Sequence, residues 1–284
     1  MLYLRNKMRR GWALLALLTL LLTAAPAWGA NYFVYQQWGG TWQDANKSAA
    51  NTEDDLMCWA AAASNVLAWG SWGTSTYNTT DKIFKHFQDH WTDNTGVPSW
   101  AWKWWLNGSP PPYYFASYPD VPGGGNFYPT LTFNNYYSSG FNTDVMVSVD
   151  LLMHRGYGVS LIIGRSGGSH AVTAWGFTYT FDPITGTNLY SGIYITDSDD
   201  GVTGLRYYPI TKPGDWWVLG GSYSGWQIGM VQAFKKRSFI ISIPSGSFTE
   251  DQDMAAGVAP VPLPATLPLV AAGFGLLLLG RRRA

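Results

Sequence analysis

Asp54-Asp55-Leu56-Met57-Cys58-Trp59-Ala60-Ala61-Ala62-Ala63-Ser64-Asn65 is the stretch from which the rest of the chain is read. Its four consecutive alanines favour helix, and Asp54 or Asp55 is placed to cap one. The spacing predicts a helix over Met57–Trp69, with Cys58 at its first turn. Cys58 is the one cysteine among 284 residues, so it forms no internal disulfide. A thiol at a helix N-terminus meets unpaired N–H groups and the positive end of the dipole, which favour an anion there. The same N–H groups suit the oxyanion of a tetrahedral intermediate. A small apolar cysteine packed among alanines is the competing account, and nearby Asp54 and Asp55 oppose a thiolate unless they point away.

Outward from this helix, helical patterns come first. Asn31–Trp38 reads as extended. Thr80-Asp81 is expected to cap a second helix reaching Trp91. Val97–Tyr118, rich in Trp and Pro, reads as loop with a short helix, and Thr143–Arg155 as a third strong helix ended by Gly156 and Gly158. Strand patterns follow: Val159–Ile163, His170–Tyr179, Tyr190–Thr196, Leu205–Ile210 and Met230–Ile243. Helices first and sheet last is an α+β arrangement.

Formal net charge is zero and charged residues make up 13% of the chain, which removes the basic footprint of a nucleic-acid binder. The 16 tryptophans suit a core, a groove or a sugar-stacking surface equally. Met1–Ala30 has a basic start (Arg5, Lys7, Arg9, Arg10), an apolar run from Trp12 to Leu22 and small residues at its end. This is the pattern of a secretory signal. At the other end, Val261-Pro262-Leu263-Pro264 leads into an apolar run, Ala265–Gly280, and then Arg281-Arg282-Arg283. A plain membrane anchor fits that order. Residues 31–247 are thus read as one domain, 248–260 as a linker and 261–284 as the tail.

A thiol nucleophile needs a base. His86 and His90 share a helix face and have no third ligand in sight, so an ordinary exposed face is expected of them. His154 lies at a helix end, where histidine is simply favourable. His170 differs. It follows Gly167-Gly168-Ser169 and opens an apolar strand. If the Asp182–Gly186 turn makes a hairpin, Asp197 at the end of the returning strand arrives beside His170, with Asp199 two residues on. A calcium loop is the competing reading of Asp197–Gly201, but the glycine falls one place early and no later glutamate follows.

The order Cys, His, Asp is that of papain-like thiol peptidases, and three segments resemble the Mac/IdeS family of secreted bacterial cysteine peptidases. They are Trp42-Gln43-Asp44-Ala45-Asn46-Lys47, the Asp54–Asn65 stretch, and His170-Ala171-Val172 with Ile193-Tyr194-Ile195-Thr196-Asp197-Ser198-Asp199. Trp59 stands where that family commonly has glycine, and Lys47 is one residue further from the cysteine than its pattern has. The resemblance implies a papain-like α+β fold and a protein or peptide substrate. It makes Cys58 the nucleophile, His170 the base, Asp197 its orienter, Asp199 a supporting residue and Lys47 an oxyanion donor. No metal or cofactor is implied. The tail resembles the PEP-CTERM sorting signal. That implies an exosortase partner, transient inner-membrane anchoring, and delivery to the surface or exopolysaccharide matrix of a Gram-negative bacterium.

Two other functions stay open on the residues. A thiol–imidazole pair also runs transglutaminase-like acyl transfer. A non-catalytic matrix protein would instead use Trp100, Trp102, Trp104, Trp105, Trp216 and Trp217 as a sugar platform, with Trp102 and Trp104 on one face if that segment were a strand.

Overall fold

The structure, a computed structural model, describes residues 29–48, 52–91, 93–108, 119–141, 144–199 and 203–237. Residues 1–28 of the expected signal Met1–Ala30, the linker and the sorting tail lie outside the described residues, and Ala30 opens the first strand. No helix among the described residues is long and apolar enough to cross a membrane.

The fold is mixed α+β with an antiparallel sheet. Five α-helices are described: α1 (Val34–Trp38), α2 (Cys58–Trp69), α3 (Thr80–His90), α4 (Pro98–Asn107) and α5 (Val145–His154). Eight strands form one sheet: β1 (Ala30–Phe33), β2 (Tyr137–Phe141), β3 (Tyr157–Arg165), β4 (Gly168–Asp182), β5 (Thr187–Thr196), β6 (Arg206–Thr211), β7 (Val218–Leu219) and β8 (Gln227–Lys235). Its order is β1-β4-β3-β8-β7-β6-β5, and β4 also pairs with β5, so the strands from β3 to β8 close on themselves. Long β4 makes this possible. One of its edges carries β3 and then β1, while its second half pairs with β5. Gly176 admits β1 at this crowded point, because a Cβ there would lie 2.3 Å from the Tyr32 carbonyl oxygen.

Two apolar cores result. One fills the sheet and is covered by α5, with Val149, Val159, Leu161, Val172, Trp175, Ile195 and Val231 at its centre. The other gathers around α2, where Trp59, Trp72, Trp91, Trp102, Trp104 and Trp105 pack with Phe84 and Phe87. Burying an apolar side chain of this size is worth roughly 1.5–3 kcal/mol, so these rings hold the helical half together.

Several local expectations are corrected. The extended start ends at Phe33, and Val34–Trp38 is helical. Helix α2 is capped by Met57 with no side-chain bond. Asp54 is instead fully buried, accepting from the Ser48 N–H (3.0 Å) and Gln88 Nε2 (2.7 Å). The α3 cap is Thr79, whose side chain accepts from the Lys82 N–H. The Trp-rich segment carries a full helix opened by Pro98, a position where the missing proline N–H costs nothing. Trp102 and Trp104 are therefore helical and both buried, as is Trp105. Of the other expected platform residues, Trp216 is exposed at 38%. His86 does not lie on an exposed face. It is buried, stacked on Tyr77 with ring centroids 4.1 Å apart and bonded to the Gly124 carbonyl at 2.7 Å.

Candidate active site

The two cores meet at a cleft of about 420 Å³. Asp55, Leu56, Cys58, Thr95, Gly96 and Val97 line it from the helical side. Ile162, Ser169, His170, Ala171, Asp199, Tyr223 and Trp226 line it from the sheet side.

Helix α2 brings Cys58 to this floor. Ala60, Ala61, Ala62 and Ala63 are all buried, and their small side chains let the helix lie close against β4. Polar ties fix the approach. Thr173 Oγ1 donates to the Ala62 carbonyl (3.3 Å), and Asn65 Nδ2 donates to Thr173 Oγ1 (3.0 Å). Asn65 Oδ1 accepts from the Ala45 N–H (2.7 Å), which holds the Gln43–Lys47 segment beside the helix. Cys58 occupies the first helical position, where its own N–H has no intrahelical acceptor.

Strand β4 supplies the facing side. Pairing with β5 begins at Thr173–Thr196, so the β4 edge before it is open towards the cleft. The Ala171 N–H uses that opening to donate to Cys58 Sγ at 3.4 Å. His170 is 7% exposed and hydrogen-bonded to Cys58, while its Nε2 lies 2.6 Å from Asp197 Oδ1. The Asp182–Gly186 turn does join β4 to β5, and Asp197 follows the last residue of β5.

Asp197 is saturated with donors. Its Oδ1 also accepts from the Asp199 N–H (3.0 Å), and its Oδ2 accepts from the Tyr223 hydroxyl. Burial disfavours its charge, but these bonds prevail and hold the carboxyl below the ordinary carboxylate range. For His170 burial likewise opposes the charged form. The bonds to Asp197 and Cys58 outweigh it and push the imidazole up to about 10. Burial and the facing Asp197 raise Tyr223, so its hydroxyl stays protonated and donates.

Asp199 is placed differently. Its Oδ1 accepts from Ser198 Oγ (3.1 Å) and pairs with Lys47 Nζ (2.8 Å), while its Oδ2 lies 3.6 Å from His170 Nδ1. Lys47 Nζ also donates to the Asp55 carbonyl, and the Lys47 N–H donates to the Ser198 carbonyl at 3.1 Å. Lysine has three ammonium donors, so these two contacts leave one over. The five residues expected at the site are thus gathered around one cleft, with Lys47 reaching it through Asp199 and Asp55.

Three further participants escaped the sequence reading: Tyr223, the Ala171 N–H and Trp226. Tyr223 sits in a single 3-10 turn, Gly221–Tyr223, and its ring stacks on His170 with centroids 6.1 Å apart. The only cue was the glycine spacing of Gly220-Gly221 and Gly225, which marks a turn without revealing what it faces. Ligand-type atoms of His170, Asp197 and Asp199 lie within 4.8 Å of one another, so this is also where a metal ion could be held. A second hollow of about 520 Å³, lined by Trp104, Asn107 and Asn126, has no titratable side chain among its described lining residues. In comparisons with known proteins, the chain matches no family model and no curated protein.

Proposed function

We propose that this chain is an exported cysteine endopeptidase of the papain-like type, resembling the Mac/IdeS peptidases, and that residues 261–284 address it to the cell surface. One observation carries the catalytic part: Cys58, His170 and Asp197 form a continuous hydrogen-bonded series on the floor of a cleft between two cores. Cys58 Sγ attacks the scissile carbonyl carbon. His170 then delivers its Nδ1 proton to the leaving amine as the C–N bond breaks, leaving a thioester on Cys58. Water attacks the thioester while His170 takes its proton, and the acid leaves. The Cys58 N–H and Lys47 stabilise the oxyanion in both halves. Asp197 fixes the imidazole so that Nδ1 faces the sulfur.

The tail reading rests on the order Pro-Leu-Pro, apolar run, triple arginine. It implies release by an exosortase after export.

Digestion of a peptide library by the full chain, beside Cys58→Ala, tests the catalytic proposal. Cleavage that depends on Cys58 is expected. Cys58-dependent incorporation of an amine, with no hydrolysis, would move the assignment to acyl transfer. A protein that neither cleaves nor alkylates rapidly at Cys58 at mildly acidic pH would return it to a binding module.

A further inference from the structure

A third hollow, of about 430 Å³, adjoins the catalytic cleft, and Ile162 and Ser169 line both. Its place follows from the β3–β4 hairpin. His170 pairs with Ile163 across the ladder, and Arg165, the last residue of β3, pairs with Gly168. Arg165 therefore stands two positions beyond the partner of His170, on the same face of the hairpin. Two strand positions span about 7 Å, which is also the reach of two residues of an extended substrate.

The hollow is kept open by what the chain omits. Gly225 and Gly229 contribute no side chain to its lining. Among the described residues, and apart from its chain neighbours, a Cβ at Gly229 would meet only the Ile162 carbonyl oxygen, at 3.7 Å. Gly229 is not among the glycines of positive φ either. Neither crowding nor backbone conformation calls for glycine there, and a larger side chain would take up the space. Gly229 is also the residue passed over where the β3–β8 register shifts, since Ile162 pairs with Met230 and Ile163 with Ile228. Such bulges bend a strand and are over-represented next to active sites.

One charge lies in this space. Arg165 is the only ionisable side chain among the described lining residues, and no carboxylate among the described residues forms an ion pair with it. Its guanidinium sits 5.2 Å from the centroid of the Trp226 ring, and Trp226 walls the catalytic cleft. An arginine so braced is pre-organised, and its fork matches a carboxylate through two parallel hydrogen bonds. Ser166 and Ser169 add hydroxyl donors, and the exposed Trp216 ring adds an apolar side.

We propose that this hollow is a specificity subsite for an acidic substrate side chain, an aspartate or glutamate about two residues from the scissile bond, and that Arg165 selects it. The assignment rests on the peptidase reading for the bond that is cut, though not for carboxylate binding itself.

The test is a library of C-terminally amidated peptides, in which side chains carry the only carboxylates, digested by the full chain and by Arg165→Gln and Arg165→Glu. The wild type should enrich Asp or Glu at one position near the cut. Replacing that acid by its amide should lower kcat/KM about tenfold or more, the loss of a charge-assisted bond. The loss should fall on KM with kcat little changed, because the bond is made equally in the ground and transition states. Arg165→Gln should erase the preference, and Arg165→Glu should turn it towards Lys or Arg at the same position. Arg165 is exposed, so both variants should fold. Cleavage without an acidic preference, or a preference that both variants keep, overturns the subsite and leaves the peptidase standing. If the wild type cuts nothing, calorimetric titration with a hexapeptide pool carrying Asp and Glu, against its Asn and Gln counterpart, decides. Arg165-dependent binding of the acidic pool then keeps the carboxylate site and removes the peptidase, and its absence removes both.

Discussion

Tyr223 donates its hydroxyl to Asp197 Oδ2 on the side of the carboxylate opposite His170, so the aspartate is clamped between a tyrosine and the imidazole it orients. The clamp is indirect in sequence and tight in space. Tyr223 is carried by the turn between β7 and β8, 26 residues beyond Asp197, and its ring also lies against His170 and Trp226. Losing the hydroxyl frees one oxygen of a buried anion.

Tyr223→Phe keeps the ring and removes that bond. A hydrogen bond to a charged group is worth about 1.5–3 kcal/mol, so kcat/KM is expected to fall about tenfold or more. The pH profile separates positioning from mere packing. The Tyr223 bond is one of those that lower the proton affinity of Asp197, so its loss raises that affinity. The carboxylate then protonates at higher pH, and the acid limb of kcat/KM should move upward. The alkaline limb follows loss of the His170 imidazolium as pH rises through about 10 and should stay near its wild-type place. An unchanged acid limb with a lowered rate would reduce Tyr223 to a packing residue.

Cys58 and His170 are expected to act as a unit. Cys58→Ala and His170→Gln should each lower kcat about 10³-fold or more, and the double variant should be little worse than either alone. Stability should distinguish the two singles. Cys58 is half-buried beside Ala171, so Cys58→Ala should melt close to wild type. His170→Gln removes a buried charged partner of Asp197, and its melting temperature should drop. Independent, multiplicative rate losses would show that the pair is not one machine.

Trp59 and Gly96 make a third coupled pair. Trp59 is fully buried, and its Nε1 donates to the Asn94 carbonyl at 2.8 Å. It thereby sets the 94–97 wall of the cleft, which explains how an aromatic is accommodated directly after Cys58. A Cβ at Gly96 would stand 2.6 Å from the Trp59 ring. Gly96→Ala should cost about 1–3 kcal/mol, as overpacking does, and raise KM more than it lowers kcat because the wall shifts into the cleft. Combining it with Trp59→Leu should recover part of the loss, since residues in contact are not additive. Urea melts of the four proteins give the coupling directly.

How far these relationships could be read beforehand depended on their range. The Cys58 helix, the β4–β5 hairpin and the meeting of His170 with Asp197 follow from periodicity and one turn, all local signals. The caps failed because Asp54 had a better use: its carboxylate is spent on Ser48 and Gln88 across the fold. Helix α4 was under-read because four tryptophans within ten residues masked its period, although Pro98 marked its start. Short β2 and β7 carry too few residues for any alternation to show. Tyr223 was out of reach for a different reason. Its partner is fixed only by the closure of the sheet, which no local pattern encodes.

Lys47 offers the sharpest remaining test. Its ammonium is held by Asp199 Oδ1 and the Asp55 carbonyl, at the rim formed by the residues that precede Cys58. Under the proposed mechanism its third ammonium donor serves the oxyanion. Charge on that oxygen appears mainly in the transition state, so the donor should act on kcat more than on KM. Lys47→Ala should lower kcat by about 10²–10³, as loss of an oxyanion donor does, and Lys47→Arg should recover only part, because a guanidinium is wider and directs its donors differently. A second role is built into the same ion pair. Without Lys47, Asp199 is free to compete with the Cys58 sulfur for His170 Nδ1, 3.6 Å away. Adding Asp199→Asn to Lys47→Ala separates the two. If Lys47 serves the oxyanion, the double variant stays as slow as Lys47→Ala. If it merely restrains Asp199, the double variant recovers most of the rate, and the oxyanion assignment falls.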